Sequence, residues 1–135
     1  MTSVPVVAFN VRLSKSVTVG MNGIVIFDTV LLNEGEGYNT ATGIFTAPHN
    51  GLYYFAAHVC NRGRKFVQYA IVVESNQIAT STQYDNDNVY SCSSVTTVAK
   101  VKSAERVWIK SLSSSTDIYH DNYRWNSFVG ALLNK

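Results

Sequence analysis

The sequence predicts an all-β chain, a sandwich or jelly roll of about ten short antiparallel strands. Three observations predict it. Apolar and polar residues alternate with a period of two, turn residues recur roughly every 8–12 positions, and apolar residues nowhere recur at helical spacing over three turns. Its 135 residues are enough for one domain, read here as spanning 1–135, with a core that needs no metal to fold.

The elements follow in order. Val7, Phe9, Val11 and Leu13 alternate with Ala8, Asn10, Arg12 and Ser14, which is a strand with one buried face. Val17–Val19 is a short strand, Asn22-Gly23 is a tight-turn signal, and Ile24–Phe27 reads as an apolar strand. Leu32–Thr42 is rich in Asn, Gly and Glu and reads as loop, and Gly43–Thr46 is short and extended. Pro48-His49-Asn50-Gly51 is a turn before the long aromatic strand Leu52–Cys60. Asn61–Arg64 turns the chain into Lys65–Glu74, where Val67, Tyr69, Ile71 and Val73 share a face. Ile78–Tyr84 is polar and extended, as at a sheet edge, and Asp85–Asn88 is a loop. Tyr90–Val101, Arg106–Leu112 and Ser127–Leu133 are further strands, and Ser113–Asn126 reads as one long polar loop.

Composition limits function. Apolar residues at 46% exclude a disordered chain. A net charge of +2 is too small to drive binding to nucleic acid or to an anionic membrane. No apolar run approaches the length of a membrane-spanning helix. The N-terminal stretch Met-Thr-Ser-Val-Pro-Val-Val lacks the basic and apolar regions of a secretory signal, leaving a cytosolic protein or a mature form.

Catalytic signals are weak. His49, His58 and His120 are scattered, and neither a Gly-x-Ser-x-Gly elbow nor a His-Glu-x-x-His helix is present in the sequence. The sequence is therefore read as a non-enzyme that needs no cofactor. Asp85-Asn86-Asp87-Asn88 is the densest cluster of hard oxygen ligands, which suits calcium on Asp85 and Asp87, or equally a solvated turn. Cys60 and Cys92 either bridge or stay as buried thiols; the reading leans slightly to free thiols.

Two stretches carry binding chemistry. Tyr119, His120, Asp121, Asn122, Tyr123, Arg124 and Trp125 combine planar donors and acceptors for vicinal hydroxyls with aromatic faces for a sugar ring. The same aromatics equally suit the packed end of the sandwich or a subunit interface. Arg62 and Arg64, with Lys65, form a basic knot that suits an anionic ligand such as a sialic acid, or an ordinary charged loop tip.

The spacing of Phe27, Asn33, Tyr38, Phe45, Gly51, Tyr53 and Phe55 resembles the signature of the C1q globular-head family, with Ala57 in place of its last aromatic. Val6-Val7-Ala8-Phe9 resembles the family's first strand, and Arg106-Val107-Trp108-Ile109 resembles its Val-Trp strand, with Ala104-Glu105 replacing Gly-Asp. Ser127-Phe128-Val129-Gly130-Ala131-Leu132-Leu133 resembles its closing strand. The resemblance implies a ten-stranded jelly roll of the tumour-necrosis-factor type, a homotrimer, and a secreted binding module. It is closest to stalkless, mollusc-type members that act as lectin-like immune receptors. It places Tyr84-Asp85-Asn86-Asp87 where some relatives hold calcium, although Ser91 or its neighbours stand where a further acid is used. The function expected is a secreted innate-immune pattern-recognition lectin for microbial glycans, sialylated or mannose-type. The alternative is a protein-binding signalling or adhesion ligand for a receptor.

Overall fold

The computed structural model describes residues 3–135. Met1 and Thr2, at the head of the stretch read for a leader, lie outside them. The strands are β1 (Ala8–Arg12), β2 (Val17–Val19), β3 (Thr29–Glu34), β4 (Tyr38–Asn39), β5 (Ile44–Thr46), β6 (Gly51–Asn61), β7 (Val67–Val73), β8 (Asn76–Gln83), β9 (Ser91–Val101), β10 (Arg106–Ser111), β11 (Thr116–Ile118) and β12 (Ser127–Asn134). Among the described residues there is no helix.

Two antiparallel sheets enclose the core. In the seven-stranded sheet β3, β1, β12, β6 and β9 lie side by side, and β11 and β2 continue from the far end of β6. The five-stranded sheet has the order β4-β5-β10-β7-β8, which puts the polar β8 at an edge, as its composition predicts. The first and last strands are neighbours: Ala8 faces Ala131 and Arg12 faces Ser127.

Alternation sets the layers. Phe9 and Val11 of β1, and Tyr53, Phe55, Ala57 and Val59 of β6, point into the core. Phe9 is the hub, stacked on Phe45 at 4.7 Å and edge-on to Phe128 at 4.8 Å. A Cβ on Gly130 would collide with the rings of Phe9 and Phe55, so β12 can cross beneath them only without a side chain there. β7 departs from alternation because both of its faces are covered: Ala70 and Val72 are as buried as Tyr69 and Ile71.

The signature spacing has a hydrogen-bond explanation. The Tyr38 hydroxyl donates to the Phe27 carbonyl at 2.8 Å and accepts from the Phe27 N–H at 3.1 Å. Asn33 holds Tyr38 in place, its amide donating to the Tyr38 carbonyl at 3.0 Å and accepting from the Tyr38 N–H at 3.1 Å. Burial pushes the Tyr38 phenol pKa well up, so the hydroxyl stays a donor. Gly51 passes against the end of β12, where a Cβ would strike the Asn134 carbonyl.

Four sequence expectations are corrected. Ile24–Phe27 is not a strand: it makes one isolated bridge, Ile24 to Lys110, and Val25 and Phe27 bury themselves as the chain crosses between sheets. Leu32–Thr42 is not all loop, since β3 ends within it and β4 lies inside it; pairing with β1 and the Asn33–Tyr38 clasp outweigh the loop-like composition. Ser113–Asn126 contains β11, which pairs with β2. These pieces raise the count from about ten strands to twelve. The cysteines are not free: Cys60 and Cys92 face each other across β6 and β9 and form a disulfide. It clasps the excursion through β7 and β8, and closing a loop of this size contributes roughly 3–4 kcal/mol.

The sandwich has two distinct ends. At one, residues 13–16, 62–66, 84–90 and 119–126 meet: the Leu13 N–H donates to the Asn126 carbonyl and the Arg64 N–H to the Asp85 carbonyl. At the other, residues 34–37, 47–50 and 102–105 meet, and the chain enters β1 and leaves β12 there.

Replacing Tyr38 with Phe keeps the ring but leaves the buried Phe27 N–H and carbonyl without partners, at about 1–3 kcal/mol each. The thermal unfolding midpoint of Tyr38→Phe is expected to fall by roughly 7–20 °C; an unchanged midpoint would refute this account of the signature.

Candidate functional site

The end formed by the 62–66, 84–90 and 119–126 loops gathers most of the residues read from the sequence as ligand contacts. Two buried asparagines hold it. Asn126 donates to the Tyr119 carbonyl at 2.7 Å and accepts from the Cys60 N–H at 2.6 Å, tying the late loop to β6. Asn61 donates to the carbonyls of Arg62 and Lys65 and to the Asp85 carboxylate, and Gln83 donates to its oxygen. Each replaces a backbone partner at a strand end with a side-chain amide.

The two stretches nominated separately are one cluster. The Arg62 guanidinium lies 5.3 Å from the Tyr119 ring centre and 3.9 Å from the Asp117 carboxylate. Tyr119 meets Tyr90 edge-to-face at 4.7 Å, and Arg124 stands 5.7 Å from the Tyr90 ring. Asp121 brackets its own loop, accepting from the N–H groups of Tyr123 and Arg124 and pairing with the Arg124 guanidinium at 2.7 Å. Partial desolvation works against its charge, but those N–H groups and the guanidinium outweigh it and hold its pKa below the usual carboxylate value.

Other nominated residues take separate positions. His120 is half-buried, its N–H donating to the Ser16 hydroxyl at 2.9 Å. Tyr123 is 92% exposed and Asn122 is exposed beside it. Trp125 does not join the Tyr119–Tyr90 pair: it is 46% exposed, and the Arg12 guanidinium of β1 covers one face at 4.0 Å. Arg64 is exposed at the loop tip with positive φ. Asp85 and Asp87 lie in the neighbouring loop, but the Asp85 carboxylate already accepts from Asn61. No third His, Cys, Asp or Glu side chain joins them in a metal-sized group among the described residues.

Tyr90, Asn61 and Arg12 escaped the sequence reading. A lone Tyr at a strand start carries no local signal; an Asn closing an apolar strand, as at Asn61, is the one mark that could have been read. The buried Arg12 Nε and His120 Nδ1 have no hydrogen-bond partner within the chain, and Arg62 Nε has only the Asp117 carboxylate at 3.9 Å. Two open grooves lie at the opposite end. One, of about 610 Å³, is lined by Gly35, Tyr38, Thr40, Pro48 and Ser103; the other, of about 730 Å³, by Leu52, Lys100, Lys102, Asn134 and Lys135. Neither contains a nominated residue, and the Tyr38 hydroxyl in the first is already engaged by Phe27.

Two packed antiparallel sheets of this topology, the larger cross-linked by Cys60–Cys92 and the fold clasped by Phe27, Asn33 and Tyr38, define a jelly roll with a cluster of loops gathered at one end. The model of the C1q domain matches residues 8–133, and the chain belongs to that family. It is 29% identical to the mouse (Mus musculus) collagen alpha-1(X) chain over 135 residues, 98% of this chain and 19% of that one. It is 32% identical to the heavy metal-binding protein HIP of Mytilus edulis over 71 residues, 52% of this chain and 33% of that one. The chain therefore spans about a fifth and a third of these relatives. Among solved structures it resembles the globular domain of zebrafish complement 1qA, with TM-score 0.78 at 20% identity over 95% of this chain and 98% of that one. Murine APRIL gives 0.73 at 10% identity over 95% and 99%. These likenesses show the C1q and tumour-necrosis-factor type of jelly roll.

Asp121→Ala removes the bracket of the late loop without touching the core. Hydrogen exchange is expected to speed up at residues 122–125 while the global unfolding midpoint stays close to wild type; unchanged exchange there would refute the bracket.

Proposed function

We propose that this chain is a carbohydrate-recognising C1q-domain protein of the extracellular, pattern-recognition kind. The observation that carries the reading is the convergence of Arg62, Tyr119, Tyr90 and Arg124 at one loop end, with Tyr123 and Asn122 projecting beside them. Tyr123 offers a free ring face for the apolar side of a sugar. Arg62 and Arg124 offer forked donors for vicinal hydroxyls or a carboxylate. Both guanidiniums are held by aromatic and carboxylate neighbours, so little side-chain entropy remains to be lost on binding. Recognition makes or breaks no bond. The disulfide supports an oxidising compartment. Among the described residues no helix is long and apolar enough to cross a membrane.

Single sugar contacts are weak, and avidity would come from assembly. The outer face of the large sheet supports a homotrimer: across its middle run Ala8, Ala131, Tyr54 and Val98, then Asn10, Val129, Ala56 and Thr96, with no charge in either row. Three such faces can pack closely, and roughly 10²–10⁴ in avidity becomes available when several sites reach one surface.

A glycan array run with and without chelator tests the reading and the calcium expectation together. Arg62→Ala and Tyr123→Ala are each expected to lower binding by roughly ten- to a hundredfold, as for loss of a charge-assisted or stacking contact. Free monosaccharide should displace the protein; wild-type binding in both variants, or no displacement, would favour a protein receptor instead. Ala56→Arg, which puts a guanidinium at the centre of the outer face, is expected to elute as a monomer in light scattering with its circular dichroism intact. A wild-type monomer, or a trimeric variant, would overturn the assembly.

A further inference from the structure

The His58, Cys60 and Cys92 side chains are the one group among the described residues whose ligand atoms stand close enough to share an ion, all within 4.8 Å of one another. They lie on the outer face of the large sheet, outside the core, at the end of β6 where the Cys60 backbone bonds Asn126 and Tyr119 of the late loop. The grouping follows from register: His58 and Cys60 point to the same side of β6, and Cys60 faces Cys92 across β9. The Cys60 sulfur is 4.0 Å from His58 Nε2. On the other side of the ring His58 Nδ1 is hydrogen-bonded to the Ser94 hydroxyl at 2.7 Å. With Nδ1–H as donor, the Nε2 lone pair is aimed at the sulfurs, the orientation a metal-binding imidazole needs.

We propose that the β6–β9 disulfide masks a two-thiolate, one-imidazole site for a soft divalent cation, which a thiol reductant opens. In the single chain Cys92 is exposed and Cys60 is buried, so attack on a separated protomer falls on the Cys92 sulfur. The reductant thiolate bonds to Cys92 Sγ, the S–S bond breaks, and its electron pair leaves on Cys60 Sγ beside His58. A second thiol of the same dithiol then attacks the mixed disulfide and releases the Cys92 thiolate. The dithiol ends as its cyclic disulfide, and its two protons pass to the cysteines. A cation such as zinc or cadmium displaces those protons and takes two sulfurs and Nε2. The fourth tetrahedral position is left to water or an outside ligand. Carboxylates are absent from the group, so hard cations such as calcium and magnesium are not expected to compete. In the oxidised chain the same sulfurs are bonded to each other and are poor ligands.

The test is a cadmium titration of the whole chain, before and after reduction with a phosphine, read by sulfur-to-cadmium charge-transfer absorbance. Circular dichroism follows the fold in parallel. The expected result is one cadmium per folded chain, bound only after reduction. His58→Ala should weaken binding by about tenfold or more, and Cys60→Ser/Cys92→Ser should abolish the absorbance in both states. The proposal is overturned if the reduced chain takes up no more cadmium than the oxidised one, or if His58→Ala binds as tightly as wild type. Unfolding on reduction, or equal affinity in urea, also overturns it, because the site would then not be a property of the fold.

Discussion

The register of β6 is the constraint on which everything else hangs. It pairs with β9 from Gly51–Val101 to Asn61–Ser91, and with β12 along its other edge. A slip of one residue would turn Tyr53 and Phe55 outward and Tyr54 and His58 inward. It would also part Cys60 from Cys92 and carry Asn61 away from the loops it organises. Core, cross-link and loop end are thus specified by one alignment. The disulfide and the Gly51 contact with Asn134 pin that alignment at its two ends.

The loop end shows how a chain of low net charge still concentrates arginines and aromatic rings at one place. Its arginines are few, but each is held over a ring: Arg12 on Trp125, Arg62 on Tyr119, and Arg124 near Tyr90. Stacking limits where each guanidinium can move and leaves its in-plane donors for solvent or ligand. Asp117 and Asp121 complete the restraint from the other side. Position here comes from side chain on side chain, supported by Asn61 and Asn126 beneath, rather than from a deep cavity.

Much of the fold was legible in the sequence because the strands with one buried face carry clean alternation, as in Ala8–Arg12 and Gly51–Asn61. The signature landmarks were legible because each does a fixed job in the core, as Phe27 and Tyr38 do for each other. What escaped was set by contacts distant in sequence. β3 exposes Val30, Leu31 and Leu32 together, and its pairing with β1 shifts register near Asn10, so alternation is lost. Ile24–Phe27 looks like a strand because it is apolar, yet it is buried as a crossing between sheets, where periodicity says nothing. The state of Cys60 and Cys92 depended on register, which composition does not encode. The candidate site was half legible: residue types marked the late loop and Arg62, but only the fold joins them, adds Tyr90 and sets Trp125 apart under Arg12.

The adjacency of β1 and β12 has a geometrical corollary. The chain enters β1 and leaves β12 on the side of the sandwich opposite Tyr123 and Arg62. A tether, tag or additional module fused at either terminus would therefore trail behind the molecule and leave the loop end unobstructed. Several copies bound together from behind would all look the same way, as the heads of a bouquet do.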